Sequence, residues 1–162
     1  MNTLLMMLAF IVVPWSAAAC VPREPNELDK LRRVRMEIKE QKFELWVAAD
    51  DHSRPRGLMF ITAEQMAPLA DGTERGMVFV FAHAQQTSFW MKNTIIPLDI
   101  IYLTSDGEIV SIYTMTPLDD RHGRYVPAKP YRFAIETRGG KLHALGLKAG
   151  DKITIPESLL KG

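Results

Sequence analysis

R-G-L-M at 56–59, G-M-V-F-V-F at 76–81 and F-W-M-K-N-T-I-I-P-L-D-I-I at 89–101 decide how this chain folds. From Met77 to Ala82 the apolar run shows no alternation, the pattern of a strand covered on both faces. Leu98 to Leu103 repeats the pattern with one carboxylate, Asp99, between Leu98 and Ile100. Thr87 to Met91 reads as another strand. Residues able to do chemistry therefore stand among residues that must be buried, which marks either a site or a fold-specific contact.

Working outward, Val34, Met36 and Ile38 alternate with Arg35, Glu37 and Lys39, and Phe43, Leu45 and Val47 alternate in turn. Two half-buried strands joined near Glu40-Gln41 predict a hairpin. Ala48 to Arg54 could start a helix that Pro55 keeps short. Thr62 is placed to cap a helical segment over Ala63 to Met66. Ser105-Asp106-Gly107 turns Leu98–Leu103 back into a strand over Glu108 to Thr114. Thr116 to Pro130 holds three prolines and no periodicity, and reads as a long loop of the kind that often carries function. Tyr131 to Thr137 reads as a strand, Gly139 to Leu145 as a short helix, and Lys152 to Ile155 as a last strand. The expected architecture is α+β but mostly β: one compact domain over residues 34–157, with a curved sheet or partial barrel, small peripheral helices and a tail at 158–162.

The chain has 162 residues, 47% of them hydrophobic, with a formal net charge of +1. That suffices for one domain with a core and gives no basic stripe of the kind a nucleic-acid surface needs. Residues 1–19 carry no charged side chain, and Leu4 to Val13 is a continuous apolar stretch of ten residues. This is the length of a signal-peptide core and short for a membrane span. Ala17-Ala18-Ala19 precedes Cys20, the single cysteine of the chain. The arrangement predicts a signal peptide over 1–19 and a lipid-attachment Cys20 followed by a tether over 20–33. Plain secretion after cleavage at Ala19 is the rival, disfavoured because it leaves an exposed thiol in an oxidising compartment. Either way the protein is expected to be exported and a monomer, and on the first reading it touches the membrane only through that lipid.

Four histidines, His52, His83, His122 and His143, form no paired metal-ligand spacing. Met59, Met77 and Met91 could suit copper(I) as soft ligands, but methionine is an ordinary core filler, so no metal or other cofactor is expected. There is no G-x-S-x-G elbow and no phosphate loop. The polar set that remains is Arg56, Trp90, Lys92, Asn93, Thr94, Asp99 and Glu136. Asp99 needs a partner if buried, and Arg56 is offered as a bidentate one. Trp90 and Asn93 could wall a pocket for a small polar ligand. The competing reading makes Asp99 and Arg56 loop fixtures and Asn93-Thr94 a turn before Pro97. Asp99 with Glu136 could be an acid/base pair, although Glu136 is expected to be exposed.

Arg56-Gly57-Leu58-Met59, Gly76-Met77-Val78-Phe79 and Phe89-Trp90-Met91-Lys92-Asn93-Thr94 through Pro97-Leu98-Asp99 resemble the domain-of-unknown-function family numbered one hundred and ninety-two, over about Val34 to Ile155. Where the family pattern continues after the late Glu with Asn, Ala and Gly, this chain reads Thr137-Arg138-Gly139-Gly140. The resemblance implies a compact β-rich α+β fold, often behind a signal sequence, and no catalytic residues. The expected function is binding of a small polar ligand or an envelope protein, with Arg56, Met59, Trp90, Met91, Lys92, Asn93, Thr94, Asp99 and Glu136 as candidates. An enzyme using a buried carboxylate, or an interaction module without a pocket, is the alternative.

Overall fold

The computed structural model describes residues 26–161. The expected signal peptide, Cys20 and most of the tether lie outside them.

The fold is α+β and mostly β: six strands, β1 (Arg33–Ile38), β2 (Gln41–Ala48), β3 (Glu74–Gln85), β4 (Leu98–Leu103), β5 (Ile109–Met115) and β6 (Tyr131–Arg138), form one mixed sheet. Their order across the sheet is β1-β2-β3-β6-β4-β5, and the sheet does not close into a barrel. β2 and β3 run parallel and every other neighbouring pair is antiparallel. A parallel pair needs a crossover. Residues 49–73 supply it, carrying the short helix α1 (Ser53–Arg56) and the R-G-L-M turn.

The uniformly apolar strands are explained by two cores, one on each face. In β3, Met77 and Phe79 join one core while Val78 and Val80 join the other. The first face is roofed by loops, through Leu58, Ile61 and Met66 of the crossover, Met91, and Tyr125. The second is covered by Leu142 of helix α2 (Lys141–Ala144), by Leu147 and Ile153, and by Leu159 of helix α3 (Glu157–Leu160). β3 and β6 approach so closely that a Cβ on Gly76 would lie 2.3 Å from the Glu136 carbonyl oxygen.

The hairpin forms as expected, with Lys39 and Glu40 at φ 46° and 64° in the turn. Four local expectations are corrected. Thr87 to Met91 is not a strand and makes only the bridge Phe89–Tyr125. β6 already has neighbours on both sides, and Met91 N–H is taken by the Asp119 carbonyl at 2.8 Å. Lys152 to Ile155 is likewise reduced to one bridge, Glu108–Lys152, before Pro156. Ala63 to Met66 is a turn, held by Thr62 and Gln65 through reciprocal bonds of 2.9 and 3.4 Å. The tail contains α3, whose Leu159 is buried.

The long loop is tied down by one acid. Buried Asp119 accepts from Arg121 Nε at 2.7 Å and Nη2 at 2.9 Å, pairs with Arg124 at 2.9 Å and receives the Tyr125 hydroxyl at 3.3 Å. Arg121 above all holds its carboxyl down to about 2. On the other side of the sheet, Glu74 takes a bidentate pair from Arg138 at 2.7 Å and Lys141 at 3.0 Å, which lowers its pKa.

Candidate functional site

Glu136 lies two residues before the end of β6, flanked by Met77 of β3 and Ile100 of β4. It points to the loop-roofed face, because Met77, Ile100 and Ala134 belong to that core. Contrary to the expected exposure, only 4% of the residue is accessible. No hydrogen bond or ion pair reaches its carboxyl among the described residues. Burial alone pushes its pKa up to about 8, so at neutral pH most of the protein holds this group protonated.

Glu136 lines a cavity of about 30 Å³, room for a water molecule or a group of that size. Its walls come from Arg54 to Met59 of the crossover, Phe79 of β3, and Phe89, Trp90, Lys92 and Thr94. Phe79 and Phe89 meet edge to face at 4.8 Å. At the mouth, Trp90 stacks on His122 at 4.7 Å and carries the Lys92 ammonium 5.1 Å from its ring centre.

Several residues here have left-handed backbone: Gly57, Phe60 and Asn93 at φ 47°, 62° and 57°, and Leu118 of the long loop at 59°. Such geometry is costly for non-glycine residues and persists where surroundings over-determine it. The surroundings are backbone ties between loops: Phe60 N–H to Asn93 O at 2.9 Å, and Leu118 N–H to Thr94 O at 2.9 Å. The Asn26 amide clamps the crossover turn from outside, donating to the carbonyls of Gly57 and Met59 at 2.9 Å each.

The structure brings together Arg56, Met59, Trp90, Lys92, Thr94 and Glu136 around one cavity. Asn93 stands behind it, its amide 3.8 Å from the Met59 sulfur, and Met91 is buried in the core below. Met77 is core too, and His83 is exposed. Asp99 is elsewhere. It is fully buried on the opposite face, accepting from Thr114 Oγ1 at 2.7 Å, Gly140 N–H at 2.9 Å and Leu142 N–H at 2.8 Å. It thus ties β4 to β5 and anchors the start of α2. These three donors, not Arg56, are the partners found for it, and it forms no dyad with Glu136. Arg54, which the sequence reading did not single out, also lines the cavity. It pairs with Asp51 and donates to the Val80 carbonyl.

Residues 33–155 match the DUF192 family, described as "Uncharacterized ACR". A crystal structure of a protein of unknown function from Novosphingobium aromaticivorans is similar at a TM-score of 0.61 and 30% identity, over 77% of this chain and 85% of that one. Another, from Sinorhizobium meliloti and described provisionally as a transcription regulator, is similar at 0.59 and 30% identity, over 75% and 91%. No curated protein matches the chain significantly.

Proposed function

Because the chain belongs to the DUF192 family, which supplies a fold and no activity, we propose that its function lies in this cleft, as a binding site for a small polar ligand. The observation that carries this reading is Glu136, a buried carboxyl with no partner among the described residues, lining a cavity walled by three chain segments. A buried polar group without a partner is costly. Apolar strands on both sides could accommodate a methionine or leucine at that position, so the carboxyl supports a ligand better than it supports the fold. A formal net charge of +1 favours a small molecule over nucleic acid. We place the domain in the cell envelope, attached through Cys20.

A second reading has one observation in its favour. With its pKa raised to about 8, Glu136 is suited to general acid–base work at neutral pH.

Native mass spectrometry of the full chain, incubated with extract of its own cells, tests the binding reading. An adduct is expected on the wild type and on neither Glu136→Gln nor Trp90→Ala, with both variants folded. No adduct on any of the three folded proteins would overturn ligand binding and leave acid–base chemistry as the better account. The mass of protein isolated from its own cells tests the location: it should begin at Cys20 and carry lipid, and an intact Met1 would exclude this.

A further inference from the structure

We propose, building on the cleft reading above, that the ligand is a small zwitterion, with an ammonium group against Glu136 and an acidic group held at the mouth by Lys92. The inner end fixes the first half. A cavity of about 30 Å³ has room for a group about the size of one or two waters, so it is a terminal group of the ligand that enters. An ammonium is that size. Its positive charge favours the ionised carboxylate over the protonated form that burial alone favours, so the Glu136 proton leaves to solvent as the ammonium enters, and the charge-assisted pair that results is the strong form of such a contact. The aromatic lining suits it too: Phe79, Phe89 and Trp90 all border the cavity, and aromatic rings attract a desolvated cation as aliphatic walls do not.

The mouth fixes the second half. Lys92 also lines the cleft, so a simple cation would enter against positive charge. Lys92 is exposed, rests over the Trp90 ring and pairs with no carboxylate among the described residues. Arg54, by contrast, already pairs with Asp51. An acidic group on the same ligand turns the repulsion into attraction. An acid without the amine would gain the mouth contact alone and leave Glu136 unpaired. A neutral polyol would use neither charge.

Calorimetric titration of the full chain with glycine, β-alanine and γ-aminobutyrate, beside propylamine, propionate and glucose, tests this. One aminoalkanoate should bind about tenfold or more tighter than the amine or the acid alone. Glu136→Gln should lose that binding by a similar factor, and Lys92→Met should reduce the zwitterion to the level of the amine. Equal affinity for amine and zwitterion, or zwitterion binding that survives Glu136→Gln, would overturn the inference. Glucose binding that Glu136→Gln abolishes would overturn the zwitterion and keep the cleft. Binding of none of the six would also overturn the zwitterion, and the cleft would then stand or fall on the cell-extract experiment.

Discussion

Asp99→Ala should cost the fold about 3–5 kcal/mol and lower the melting temperature by roughly 10–15 °C. The side chain is fully buried and receives three hydrogen bonds. Truncation leaves the Thr114 hydroxyl and the amides of Gly140 and Leu142 facing a hole, and each unsatisfied donor retains its desolvation cost. Asp99→Asn should be nearly as harmful, because the new amide nitrogen would face donors. Differential scanning calorimetry at neutral pH measures both. Ligand binding in whatever fraction stays folded should be unchanged, since Asp99 serves the face away from the cleft. A loss of less than about 1 kcal/mol would mean that water replaces the carboxylate and that it does not anchor α2.

Glu136→Gln is expected to act in the opposite direction, and to do so by pH. The folded protein holds the Glu136 proton up to about 8, against an ordinary value near 4.5. Between these values the folded state binds more protons than the unfolded chain, so stability falls as pH rises through the window. Below about 4.5 both states are protonated and this group makes no difference. Above about 8 the penalty is complete, a few kcal/mol and no more than about 5. Glutamine keeps the shape and removes the titration. Glu136→Gln should therefore match the wild type at low pH and be the more stable protein at pH 8 to 9. Parallel melting curves across that range would show it, and parallel pH dependences in the two proteins would mean that Glu136 finds a partner and stays ionised.

The strands were legible because burial on both faces leaves a plain signature. Leu98 to Leu103 and Met77 to Val80 are buried throughout, while Phe81 and Ala82, read as part of the same run, emerge toward solvent. The segment at Thr87 to Met91 misled because composition reports the backbone's preference and not whether a sheet has a free edge beside it. Asp99 could be recognised as buried, but its donors lie 15, 41 and 43 residues away, and no pattern links such positions. Glu136 was misread for a related reason. A single carboxylate two residues before the end of an apolar strand looks like the point where the strand meets water, until the neighbours on both sides are known. Half of the cavity lining is legible in the sequence, because Arg56, Met59, Trp90, Lys92 and Thr94 stand with Glu136 in the motifs that draw attention first. The network of Glu74, Arg138 and Lys141 leaves no pattern in the sequence, being joined across 64 residues.

Asp99 and Glu136 lie on adjacent strands, pointing to opposite sides of one sheet: Asp99 pairs with Thr137, and Ile100 with Glu136. Inheritance should treat the two sides differently. Substitutions on the cleft side can accumulate without disturbing the anchoring side, so the site can be retuned while the scaffold stays as it is. A one-residue insertion or deletion inside β4 or β6 has no such freedom. It would turn every following side chain to the other face, sending a carboxylate into one apolar core and a leucine or isoleucine to the floor of the cleft. Length changes should therefore be tolerated only in the connections, and the 49–73 crossover and the 116–130 loop, which contribute to the walls and mouth, are where diversification can proceed.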